Sequence, residues 1–200
     1  MEPNTLYYTF SAIPQVLGTI AAIMAAFTHF RISALKQYLI GDGQSVLNRW
    51  GRSGYALPDP EQDGRQKRRL EDAIARNNVA EVKHVLYLLR NNEREQGITR
   101  KERPTGLQYV YEKFCRTEDH IRDLRRWTVC AIAVSFFTIT VSILSLGLTD
   151  CLLRGRIGPV AVVGNVLLCL LSLGLSLHCI VLGFMEKTPH ETEREFKEPS

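Results

Sequence analysis

Residues 107–149 read LQYVYEKFCRTEDHIRDLRRWTVCAIAVSFFTITVSILSLGLT. The first half is charged and the second apolar, yet one spacing runs through both. Leu107, Val110, Phe114, Thr117, Ile121 and Leu124 step by three and four. The steps continue through Thr128, Ala131, Ser135, Thr138, Ser142, Ser145 and Thr149. Alternating steps of three and four keep one face of a helix in register. The stretch therefore predicts one long helix that starts in water and ends across a membrane. Its seam is mostly bulky in the charged half and small and hydroxylated in the apolar half.

Two further blocks share the apolar character. Residues 6–30, 127–148 and 157–185 contain no Asp, Glu, Lys or Arg. A spanning helix needs about 20 apolar residues to cross roughly 30 Å of hydrocarbon. All three blocks reach that length, so the chain is expected to be an integral membrane protein with three transmembrane helices. No stretch alternates with the period of a strand, and the expected fold class is all-α.

The net charge of +4 acquires meaning once it is located. Residues 31–126 carry 20 Lys and Arg against 14 Asp and Glu, and the tail 186–200 carries 3 against 5. Basic loops stay in the cytoplasm. Arg31 and Lys36 after the first block, and Arg122, Arg125 and Arg126 before the second, place residues 31–126 inside. The short N-terminus 1–5 and the loop 149–156 are then outside, and the tail is a disordered cytosolic segment. Arg154 and Arg156 oppose this arrangement but are outnumbered. The start has Glu2 and no Lys or Arg, unlike a secretory signal, so residues 6–30 are read as a permanent span. The expected localisation is multi-pass in the cell membrane.

In the first block Tyr7 and Tyr8 suit the outer interface, and Trp127 suits the membrane entry of the second. Pro14 is expected to kink the first helix, with Ser11 and Gln15 serving the freed carbonyls. Gly18, Ala22 and Ala26 make a small-residue face that permits close helix approach. The run Thr9-Phe10-Ser11-Ala12-Ile13-Pro14-Gln15-Val16-Leu17-Gly18 resembles the first span of small uncharacterised bacterial multi-spanning membrane proteins. That resemblance covers about a tenth of the chain and implies a bacterial cell membrane, with no activity attached.

Residues 31–126 read as a cytosolic helical domain. A helix over 32–48 is expected to break at Gly41-Asp42-Gly43, and 51–64 reads as a loop. Helix resumes over 65–95, with Leu70, Ala73, Ile74, Val82, Val85, Leu86 and Leu89 on its core face. Asn77-Asn78 divides it, and Asn78 caps the second part. Thr105 is expected to cap the long helix that follows.

Polar groups inside lipid are the first candidates for function. Gln15 and Asn165 lie at nearly equal depth, which predicts a hydrogen bond between the first and third spans. Ser135, Thr138, Ser142 and Ser145 form a stripe that serves either tight packing or a wetted pore. Hydroxyls can return their protons to their own helix, so the stripe needs no water. His29 and His178 read as interface residues rather than a proton relay.

Cys115, Cys130, Cys151, Cys169 and Cys179 form no C-x-x-C pair and no ligand cluster. No cofactor or metal is expected. Phosphate-loop, dinucleotide, nucleophile-elbow and zinc-protease motifs are absent from the sequence. Glu118-Asp119-His120 reads as a solvated face. Mixed rather than striped charge excludes a nucleic-acid site. The expected function is a membrane-anchored scaffold or sensor, not an enzyme, whose cytosolic helices bind a protein partner or a second copy. The alternative is a small oligomeric channel or permeabilising effector.

Overall fold

A computed structural model describes residues 3–50, 57–95, 106–148 and 158–185. These residues form helices α1 (Pro3–Asn48), α2 (Pro60–Ala75), α3 (Val79–Glu95), α4 (Gly106–Gly147) and α5 (Gly158–Met185), with no strand among them. Helices α1, α4 and α5 are long and apolar enough to cross a membrane. The fold is all-α, as the periodicity predicts. The expectations for Thr105, Thr149, the loop 149–156 and the tail 186–200 lie outside the described residues.

The chain divides into two compact units. One, here the charged unit, is Ile32–Arg122. The other, the apolar unit, joins Met1–Arg31 to Asp123–Ser200.

In the charged unit, α2 and α3 form a helical hairpin with identifiable stops. Asp59 caps α2, its carboxylate accepting from the Glu61 N–H at 3.0 Å, and Pro60 fills the first turn, where a missing N–H costs nothing. Helix α2 therefore opens within the stretch read as a loop. Asn77 turns the chain with φ 53°, and the Asn78 N–H donates to the Ala73 carbonyl at 2.8 Å. Asparagine tolerates that left-handed conformation better than most residues. Asn78 then caps α3 through the Glu81 N–H at 3.3 Å, as expected. The hairpin buries Leu70, Ala73, Val82, Val85, Leu86 and Leu89. They pack with Leu35, Leu39 and Val46 of α1, and Leu107, Phe114 and Ile121 of α4. Each large side chain so buried contributes about 1.5–3 kcal/mol.

Polar contacts hold the rim of this core. Lys83 pairs with Glu118, Lys113 with Asp42 at 3.3 Å, and Arg69 with Glu81 at 2.7 Å. The Asp63 carboxylate gathers the Trp50 Nε1–H at 3.0 Å and the Leu57 N–H at 2.8 Å. Arg90 lies 4.8 Å over the Tyr111 ring. The hydrogen bond to Glu118 holds the Lys83 ammonium above its ordinary value, against the opposing effect of burial.

Two expectations about α1 are corrected. The helix does not break at Gly41-Asp42-Gly43 but continues to Asn48. A Cβ on Gly43 would lie 2.9 Å from Val82 Cγ1, so this glycine admits α3 rather than ending α1. Pro14 lies inside α1, and the expected service of its freed carbonyl by Ser11 is not seen. The carbonyl it leaves without a helical donor is that of Phe10, whereas the Ser11 hydroxyl donates to the Tyr8 carbonyl at 3.2 Å. Ser11 thus bonds one turn back along its own helix and leaves the freed group alone.

The α4 seam is observed as expected. Its buried residues are Leu107, Phe114, Thr117, Ile121, Leu124, Thr128, Ala131, Ser135, Thr138 and Ser142, and every one lies on the predicted steps. Val110 and Ser145 are half-buried.

Candidate functional site

Helix α5 carries a seam of its own. Asn165, Cys169, Ser172, Ser176, Cys179 and Gly183 step by four and three, and all except the half-buried Cys169 are buried. Every one is small or polar, and the lipid-suited Leu and Val residues occupy the positions between them. This seam meets the hydroxyl stripe of α4 directly. Ser135 Oγ lies 2.6 Å from Ser172 Oγ, and Ser142 Oγ lies 3.0 Å from Asn165 Oδ1. Seven residues separate the two contacts on each helix, so they are rungs one heptad apart in antiparallel register. One heptad further on each helix stand Thr128 and Cys179, both buried. Thr128 also lies 3.2 Å from Thr28 Oγ1 of α1.

The chemistry of the stripe follows from where its protons go. Thr128, Ser135, Thr138 and Ser142 each reach the carbonyl four residues back, at 2.7–2.9 Å. Ser176 does the same to Ser172 at 2.9 Å. A hydroxyl has one proton and two lone pairs. It can therefore donate along its own helix and accept across the interface. Ser142 serves both partners when the Asn165 amide donates to Oγ and Oγ donates to the Thr138 carbonyl. Asn165 is 2% exposed, and its Nδ2 has no partner in the described orientation.

Close packing completes the interface. Met24, Ala131 and Cys179 form a small core with Ile132 and Leu175. At the end of α5 a Cβ on Gly183 would meet Phe27 Cε1 at 2.8 Å. The bare backbone there lets Arg31 Nε donate to the Gly183 carbonyl at 2.8 Å. That carbonyl belongs to the last turn of α5, where acceptors lack helical donors and cations are favoured. The Phe27 and Phe184 rings stack 5.2 Å apart beside it.

No family model, curated protein or solved structure matches the chain.

The remaining expected residues fall as follows. The Gln15–Asn165 hydrogen bond is not formed. Equal depth brings two side chains together only if both helices also turn them inward. Helix α1 turns Phe10, Ile13, Leu17 and Met24 inward and leaves Gln15 outward, while Asn165 is taken by Ser142. The small residues Gly18, Ala22 and Ala26 are likewise outward. Tyr7 and Tyr8 are exposed. Trp127 is exposed and meets the His178 ring edge-on at 4.9 Å, and His29 is exposed. Among the described residues no three His, Cys, Asp or Glu side chains gather closely enough to hold a metal ion.

Sequence reasoning missed Thr28, Asn165 as the partner of Ser142, and the whole α5 seam. The signal for the seam was present as the six small residues at steps of four and three. It was hidden because α5 is apolar all round, so size rather than polarity marks the inner face.

Proposed function

We propose that the protein is a membrane-anchored scaffold or sensor rather than an enzyme. In this reading α1, α4 and α5 anchor it in the cell membrane. The charged unit lies in the cytosol and presents its helices to a protein partner. One observation carries the choice over a channel: the hydroxyl stripe is spent on the α4–α5 contact. Ser135, Thr138 and Ser142 are buried and return protons to their own helix, and Ser135 and Ser142 also meet Ser172 and Asn165 of α5, which turns these three hydroxyls to packing rather than to a wetted path. The basic excess of residues 31–126 supports the cytosolic side.

The channel reading draws on a single observation, the buried Asn165 carboxamide, of which only one end meets Ser142 and the other has no partner. Such a group calls for water or a polar ligand. Liposomes holding the purified chain separate the two readings. Under the scaffold reading they retain ions and small dyes, and Ser142→Leu impairs helix association without altering leakage. Selective leakage abolished by Ser142→Leu, with the helices still associated, would overturn it in favour of the channel.

A further inference from the structure

The three apolar helices all expose large apolar side chains, and α1 adds a strip of another kind. On α4 and α5 the large apolar side chains include Phe136, Phe137, Leu144, Leu167, Leu170 and Phe184. Such groups sit against lipid tails at no cost. Helix α1 also exposes Tyr8, Val16, Ile23 and Phe30, but beside them runs one outward strip of Ser11, Gln15, Gly18, Ala22 and Ala26. A Cβ on Gly18 would meet nothing within 4 Å. Beside it Gln15, Val16, Thr19 and Ile20 line a shallow hollow of about 310 Å³.

Gln15 is the residue that lipid cannot satisfy. The Ser11 hydroxyl returns to the Tyr8 carbonyl, and the Thr19 hydroxyl to the Gln15 carbonyl at 2.9 Å. The Gln15 carboxamide makes no hydrogen bond to the described residues, and it offers two N–H donors and one acceptor. Hydrocarbon contains no water to take them up, and an unpaired amide there is costly.

We propose that this strip of α1 is the interface of a parallel homodimer, with Gln15 at its centre. A carboxamide is both donor and acceptor, so it is complementary to itself. Two copies inserted in one membrane share an orientation, whichever side the N-terminus occupies. A twofold axis along the membrane normal then sets each residue of the strip against its own counterpart. Gln15 donates to the Gln15 carbonyl of the second copy and accepts in return. Gly18, Ala22 and Ala26 let the backbones come close enough for that exchange. A lipid tail offers neither partner.

The inference rests on the membrane insertion that the proposed function also assumes, so insertion is tested first. Full-length chain reconstituted in liposomes is floated after alkaline extraction. Failure to float overturns the membrane reading and the dimer together. Energy transfer between donor- and acceptor-labelled chains is then followed as the protein-to-lipid ratio falls. Wild type is expected to show saturable transfer that weakens on dilution. Gln15→Leu and Gly18→Ile should each weaken association by about tenfold, as loss of an interhelical hydrogen bond or of close approach does. Gln15→Asn, which keeps the carboxamide, should retain most of it, and Phe137→Leu on the outer face of α4 should leave it unchanged. A floated chain with only random-proximity transfer at every density has lipid or another protein on this strip and overturns the dimer alone. Association unmoved by both Gln15→Leu and Gly18→Ile overturns it too.

Discussion

Gly41 and Gly43 stand two residues apart in α1, and what surrounds them differs completely. A Cβ on Gly41 meets nothing within 4 Å, whereas one on Gly43 meets the buried Val82. Alanine is the better helix former by about 1 kcal/mol. Gly41→Ala is therefore expected to stabilise the chain by about 0.5–1 kcal/mol. Gly43→Ala gains the same propensity but must displace a stiff, β-branched neighbour in a packed core, which costs about 1–3 kcal/mol. It should fall below wild type, by about 1 kcal/mol on balance of those terms. Unfolding followed by far-UV ellipticity in micelles ranks the two, and equal stabilisation by both would remove Gly43 from the α1–α3 contact. The Lys83–Glu118 pair is a second residue-scale case. Lys83 titrates higher in the folded chain, so the pair's contribution is whole below the unfolded lysine value and fades as pH climbs through the folded one. Both side chains are one-third exposed at 33%, which holds the effect within about 1 kcal/mol. Lys83→Met should cost that fraction near pH 8, and the cost should shrink as the pH climbs above the ordinary lysine value and through the raised folded one. Burial raises the Tyr111 phenol too, so it stays neutral over more of this range. A gap between the paired melts that persists undiminished at high pH would contradict the linkage.

At the scale of elements, α4 was legible because a charged half and an apolar half share one face. Its charged half set bulky seam residues against Arg, Asp and Glu, which fixed the rotation of the helix, and the same steps then carried the face into the apolar half. Helix α5 had no charged half to fix its rotation. Helix α1 misled at Gly43 because a glycine that ends a helix and one that admits a neighbour read alike until Val82 is placed beside it. Gln15 misled because depth along a helix says nothing of the angle around it. The contact these seams make is sharp enough to test at Ser142. Ser142→Ala keeps the shape and removes one interhelical hydrogen bond, a loss of about 0.6–1.7 kcal/mol. Ser142→Leu adds bulk to a fully buried position and strips Asn165 of its partner, so the loss should reach about 2–4 kcal/mol. Stability against SDS, read by ellipticity, measures both. If leucine cost no more than alanine, α4 and α5 would not be in contact at this rung.

For the whole molecule the open question is which side of a membrane each segment occupies. The chain carries its own reporters. Cys115 is half-buried in the charged unit, on the α4 segment that precedes Arg122, Arg125 and Arg126. Cys151 falls in the loop between the second and third apolar blocks. Under the proposed orientation these two thiols lie on opposite sides, Cys115 in the cytosol and Cys151 outside. Chains retaining only one of them, treated as spheroplasts with a membrane-impermeant maleimide, should label at Cys151 and not at Cys115. Permeabilisation should then expose Cys115, more slowly for its partial burial. The reverse pattern would put the basic segment outside, against the rule that Lys and Arg loops are retained, and the charged unit would need an external partner. Labelling of both thiols in intact spheroplasts would mean that α4 does not cross, since only its apolar half lies between them. That outcome would leave the seam as a soluble helix contact and withdraw the bilayer from the account of Gln15, so the same two cysteines test the premise on which both proposals stand.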